Sequence, residues 1–182
     1  MLLLVYRASR PNVAVLGRTA GRDPVWVDLA RHAAAQRTQG VEVVRVEAGL
    51  FFANADHVRA RIRRIAESAH PRTVVLDAET TPSIDVTGAQ MLADLAQDLR
   101  RQDADLLVAR DVGQVSDVLQ RAEVPDIAVG VHPTVDAAVH AALRGTDDNP
   151  GPAPATDPDT GTSSVRTAPD TDRDGPAGTS AR

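Results

Sequence analysis

The 182-residue chain has no cysteine and no lysine. Without thiols it forms no disulfide, no thiolate metal site and no cysteine nucleophile, a composition that fits a reducing compartment. All 20 basic residues are arginine, so neither the lysine of a phosphate-binding loop nor a Schiff-base amine is available, which excludes two large enzyme classes. Aromatic residues are scarce. Tyr6, Trp26, Phe51 and Phe52 are the whole supply, too few for a base-stacking surface. Long apolar runs are missing as well: Met1 to Tyr6, followed by Arg7 and Arg10, falls far short of the roughly 20 residues that span a bilayer. Its charges come after the apolar stretch rather than before it, unlike a secretory signal. The segment up to Arg10 reads as an initial strand, or as the end of a membrane helix whose remainder lies upstream, with the arginines as its cytoplasmic flank.

Charge and complexity are distributed unevenly. From Thr146 to Arg182 the chain turns to Pro, Gly, Asp, Thr, Ser and Ala, with Val165 its one large aliphatic residue and seven Asp against three Arg. Such a stretch buries too little apolar surface to offset its ordering entropy and is expected to be a disordered, acidic tail. The body from Met1 to Gly145 is nearly neutral, which argues against a nucleic-acid surface, and is long enough for one modest core.

Within that body, elements alternate. Thr73-Val74-Val75-Leu76 is a short β-branched run suited to a strand covered on both faces. Leu92, Leu95, Ala96 and Leu99 then form one apolar helix stripe, with Asp94, Gln97, Asp98 and Arg101 expected elsewhere. Pro11 to Gly17 reads as a strand, Val25 to Gln39 as an irregular connector, and Val41 to Glu47 as a half-exposed strand. Asn54 is placed to cap a helix from about Ala55 to Ala69, whose Arg59, Arg61, Arg63 and Arg64 are expected on its solvated outer surface. Asp105 to Arg110 gives another strand, Val115 to Ala122 a short helix and Ile127 to Val129 a brief strand. Thr134 caps a last helix closed by Gly145. The pattern predicts a single α/β sandwich of about five mixed strands with about four helices.

The candidate chemistry sits between the buried strand and the helix after it. Ser83, Asp85, Thr87 and Gly88 place a hydroxyl and a carboxylate where the first backbone N–H groups of a helix are unpaired, a place that favours an anion such as a phosphate on Thr87. In structural terms alone, Asp85 or Thr87 caps the helix and Gly88 relaxes the turn. Asp77, Glu79 and Asp85 lie close enough in sequence to suggest carboxylates for acid–base or Mg²⁺ chemistry. No nucleophile, base and oxyanion donor accompany them, so an enzyme is the weaker reading. The five histidines, His32, His57, His70, His132 and His140, show no metal-ligand spacing. No cofactor is implied.

The order strand, strand, helix, strand, helix, strand, helix, with Ser83-Ile84-Asp85-Val86-Thr87-Gly88 opening the second helix, resembles the STAS domain. That domain is shared by bacterial anti-sigma factor antagonists and by the cytoplasmic C-termini of SulP-family anion and sulfate transporters. Arg10-Pro11-Asn12-Val13-Ala14-Val15-Leu16-Gly17 and Leu50-Phe51-Phe52-Ala53-Asn54-Ala55 resemble the transporter branch. The resemblance implies a non-enzymatic regulatory and interaction domain at the inner face of the membrane. Its implied partner is the transmembrane portion of such a transporter or a second copy, with Phe51, Phe52 and Asn54 on the interaction surface and Thr87 as a phosphorylation switch. The alternative is a free-standing antagonist of a kinase-type anti-sigma factor, released by phosphorylation of Thr87. Thr87 stands where the antagonist branch usually carries Ser. A nucleotide site has been suggested for such domains, but no phosphate loop supports one here.

Overall fold

The computed structural model describes residues 9–110 and 130–147. The N-terminal apolar segment, the expected helix at Val115 to Ala122, the expected strand at Ile127 to Val129 and the tail beyond Asp147 lie outside the described residues. Among the described residues six strands form one sheet in the order β2-β1-β3-β4-β5-β6. They are β1 (Val13–Arg18), β2 (Trp26–Asp28), β3 (Val41–Val46), β4 (Thr73–Asp77), β5 (Asp105–Ala109) and β6 (Val131–His132). β1 runs antiparallel to both β2 and β3, with Val13 opposite Val46 and Leu16 opposite Val43 and Asp28. β3, β4, β5 and β6 are mutually parallel, so Arg45, Asp77, Ala109 and His132 stand in one row across the sheet.

Parallel neighbours need a crossover, and two described helices supply them: α1 (Ala55–Ala69) joins β3 to β4 and α2 (Val86–Arg100) joins β4 to β5. Val58, Ile62, Ile65 and Ala66 of α1 and Leu92, Leu95, Ala96 and Leu99 of α2 bury one face of the sheet over Val44, Val46, Val74, Leu76, Leu106 and Val108. α3 (Val135–Asp147) covers the other face, packing Val135, Ala138, Val139 and Ala142 against Val43, Val75, Ala109 and Trp26. All five residues of β4 are buried, as a strand between two helical layers requires. No helix among the described residues is long and apolar enough to cross a membrane.

Several local expectations change. Trp26–Asp28 is an edge strand rather than part of an irregular connector; Trp26 is buried and its indole Nε1 donates to Asp136 Oδ1 at 3.2 Å. Arg59 and Arg63 are only partly solvated and turn toward the neighbouring helix. Arg59 donates from Nε and Nη2 to Asp98 Oδ2 at 2.9 and 2.7 Å and from Nη1 to Asp94 Oδ2 at 3.2 Å, while Arg63 reaches Asp98 at 3.7 Å. Asp98 is itself buried against α1, where Arg101 also donates to it at 2.9 Å. Long guanidinium arms let a helix flank pair with its neighbour where a pattern of short apolar residues shows only polar positions. Thr134 caps α3 as expected, accepting from Ala137 N at 3.0 Å. Gly145 does not close that helix: it takes no left-handed conformation, and α3 continues to Asp147.

Candidate functional site

Two segments 30 to 40 residues apart in sequence are braced together at the start of α2. The turn after β3 runs beside the loop before α2, where Leu50 and Ile84 form a parallel bridge. Leu50 N donates to Ser83 O at 2.9 Å and Asp85 N donates to Leu50 O at 3.0 Å. Asp85 holds extended backbone angles as the N-cap of α2. One of its carboxylate oxygens accepts from Gly88 N at 2.7 Å and the other from Phe52 N at 3.1 Å. It therefore satisfies one orphan donor of the helix and one of the neighbouring turn with the same group.

Asn54 fastens that turn from inside. It is fully buried; its side chain accepts from Phe51 N at 3.0 Å and donates to Gly49 O at 2.9 Å. The expected side-chain cap on α1 is absent, and Asn54 does not lie on a surface. Its amide is spent on the turn's own backbone groups, which would otherwise be buried without partners.

Gly88 is likewise not a turn relaxer. It lies within α2 with its backbone against Leu50, where an added Cβ would stand 2.7 Å from the Leu50 carbonyl oxygen and 2.9 Å from Ile84 Cγ1. Gly49 is crowded in the same way, by Ser83 Oγ at 2.7 Å.

Around this brace the surface is partly apolar. Phe52 and Val86 are each 74% exposed, and Phe51 meets Phe52 edge-on with centroids 6.1 Å apart while remaining half-buried. Ser83 and Thr87 are exposed beside them, Thr87 at the second position of the helix. Ser83, Asp85, Thr87 and Gly88 are thus brought together with Phe51 and Phe52. Asp77 and Glu79 are not part of this group.

Asp77 is fully buried at the end of β4 and accepts from Arg45 Nε and Nη2 at 2.9 and 2.6 Å. Glu79 N donates to its other oxygen at 3.1 Å. Glu79 in turn bridges Arg45 at 3.1 Å and Arg110 at 2.6 Å. With Asp77 taken up by arginine and Asp85 by backbone amides, the two carboxylates do not converge on a common centre, and no group of metal-ligating residues occurs among the described ones. This two-arginine, two-carboxylate network escaped the sequence reading. Its signals were a lone Arg at an alternating position of β3 and an acid ending an otherwise apolar β4.

A family model of the STAS domain matches residues 32–138. Sulfate transporter 1.3 of Arabidopsis thaliana is 32% identical over 116 residues, 58% of this chain and 18% of that protein. Probable sulfate transporter 4.2 from the same organism is 24% identical over 164 residues, 81% of this chain and 24% of that protein. The chain therefore spans about a quarter or less of the length of these curated relatives. Among solved structures, the murine Solute Carrier 26 family member A9 anion transporter superposes with a TM-score of 0.69 at 22% identity, over 79% of this chain and 24% of that one. The STAS domain of a SulP transporter from Vibrio cholerae gives 0.51 at 25% identity, over 66% of this chain and 94% of that one. The fold is also shared with the anti-sigma factor antagonist SpoIIAA, at a TM-score of 0.50 and 18% identity, over 60% of this chain and 93% of that one.

Proposed function

The chain belongs to the STAS domain family, and from that premise we propose that it is a non-enzymatic regulatory and protein-interaction domain of the SulP anion-transporter class. It docks at the cytoplasmic face of the membrane on the membrane portion of such a transporter or on a second copy of itself. The observation that carries this reading is the braced surface at the start of α2, where Phe52 and Val86 stand exposed on either side of the Asp85 bridge with Thr87 next to them. Exposed apolar side chains held by fixed backbone lose little freedom on docking, so they are suited to anchor a partner.

Thr87 regulates that contact in this reading. A phosphate adds about −1.5 to −2 charges. The N-terminal end of α2 tolerates that charge, while an apolar partner seated on Phe52 and Val86 does not. The test is co-purification of the 182-residue chain with the membrane portion of a cognate SulP-type transporter, together with light scattering for self-association. Phe52→Ser and Thr87→Asp are each expected to weaken the contact about tenfold or more, with Thr87→Ala close to unchanged. Absence of any complex, or equal binding by Thr87→Asp, rejects the proposal.

A second reading rests on the Asp-Val-Thr-Gly element at the helix start: a free-standing antagonist that binds a kinase-type anti-sigma factor until Thr87 is phosphorylated. Fractionation of native cells separates the two. A membrane-bound species much larger than 19.2 kDa favours the transporter, and a soluble species of that size with phosphate on Thr87 favours the antagonist.

A further inference from the structure

A second concave surface shares no residue with the Thr87 site. It is a groove of about 410 Å³ beside the antiparallel end of the sheet, within the size range of small-molecule sites. α1 packs on β3 and on the near side of β1, where Val13 joins the core and Val15 rests against it half-exposed. The chain leaving β2 runs alongside, tied by Leu29 N donating to Val15 O at 3.0 Å. Val15, half-buried Leu29 and exposed Ala30 thus supply an apolar strip on the floor of a groove whose lining is otherwise polar and open to solvent.

Its rim is cationic. Arg61 extends from the flank of α1, exposed, and is without an ion pair or hydrogen bond among the described residues. Arg37 stands on the same rim and gives one Nη to Glu42. Burial pushes the Glu42 carboxyl above its ordinary value, and the Arg37 contact opposes that shift. The one acid in the lining, Asp28, is turned into its own loop: Oδ1 accepts from Ala30 N at 2.9 Å and Oδ2 lies 3.5 Å from Arg31 Nε. Asn12 is likewise occupied, donating to Glu47 at 3.0 Å.

An apolar floor beneath two arginines matches neither a bare inorganic anion, which gains nothing from the floor, nor a neutral apolar molecule, which wastes the rim. We propose that this groove binds an amphiphile with a single oxyanion head, a carboxylate or phosphate ester, whose head is held by Arg61 and Arg37 and whose chain lies over Val15 and Leu29. The same chemistry is available from a soluble fatty-acid-like molecule or from an anionic lipid in a bilayer, and the two sources are separable.

The test titrates the full chain with decanoate below its micelle concentration, by calorimetry, in parallel with sodium sulfate, and with sedimentation on phosphatidylglycerol or phosphatidylcholine vesicles. Decanoate is expected to bind with a Kd of about 0.1–1 mM, and Arg61→Ala to weaken it about tenfold or more. Arg61 and Ala30 are exposed, so Arg61→Ala and Ala30→Glu leave the melting temperature near that of the parent, and Ala30→Glu abolishes binding by placing a like charge on the floor. Arg61-dependent binding of decanoate identifies a soluble ligand. Arg61-dependent sedimentation on phosphatidylglycerol alone, with decanoate silent, identifies the lipid; both outcomes support the site. Failure of both ligands, binding unaltered by the two variants, or displacement of decanoate by an equal concentration of sulfate overturns it.

Discussion

At the scale of single residues, two positions carry more than their size suggests. Gly88 is one, because a methyl there meets the Leu50 carbonyl, a backbone atom that cannot swing away. Alanine is favoured over glycine in helices by about 1 kcal/mol, yet the overpacking cost of about 1–3 kcal/mol outweighs it. Gly88→Ala is therefore expected to destabilise the fold by up to about 2 kcal/mol, read as a lower urea midpoint. The other position is Glu42, buried in β3, where desolvation raises its pKa above 4.5 and Arg37 only partly offsets the shift. A carboxyl whose folded pKa is raised holds its proton more tightly in the folded than in the unfolded chain. The stability this confers is present in full below about pH 4.5 and is lost as pH rises through the raised value. Relative to the parent, Glu42→Gln should gain stability between pH 4 and pH 7. The check is a pair of urea titrations at those two pH values; a parallel shift in both proteins would remove Glu42 from the account.

Among elements, the α1–α2 contact is the informative case. Asp98 sits between two apolar stripes and takes Arg59, Arg63 and Arg101. Removing it by Asp98→Ala leaves Arg59 with Asp94 alone. The loss should be about 2–4 kcal/mol, at or below the usual figure for breaking a buried pair because Arg59 and Arg63 keep some access to water. Double-mutant cycles with Arg59→Ala and Arg63→Ala measure the share of each arginine. The helices themselves were legible, since Val58, Ile62, Leu92, Leu95 and Leu99 repeat at helical spacing and β4 is a continuous β-branched run. Their lateral pairing was not, because a polar residue on a helix flank reads the same whether it meets water or a neighbouring arginine. β2 was missed for a different reason: three residues are too few to show a period, and Trp26 is held there by β1 and by Asp136 from far along the chain. At the site, the sequence located the cap and the exposed hydroxyl of Thr87. It could not reveal that Asp85 also binds Phe52, a contact between segments more than 30 residues apart, or that Asn54 turns inward to its own turn's backbone rather than outward.

For the molecule as a whole, the ends of β3, β4 and β5 are tied by charge as well as by backbone pairing. Asp77 on β4 holds Arg45 from β3, and Glu79 joins that arginine to Arg110 just past β5. Arg110 keeps a left-handed backbone, φ 58°, with its N–H donating to His132 O at 3.0 Å. Asp77→Asn leaves two guanidinium groups with a single carboxylate between them, and a loss of about 3 kcal/mol or more is expected in chemical denaturation. Asp77→Leu with Arg45→Met, which removes the charges together, should recover much of it. If the single and double variants are equally destabilised, the network is a bystander to sheet stability.

The Asp85 bridge also has a kinetic meaning. Its two amide partners come from either side of a long crossover, so the carboxylate can join them only after β3, α1 and β4 are already assembled. Contacts that close such long loops form late on the folding route. Asp85→Ala, which also removes the local bond to Gly88 N, should accordingly speed unfolding more than it slows refolding, with a φ-value below about 0.5. The amide proton of Phe52 should then exchange through a local opening of this brace, well before the sheet beneath it comes apart.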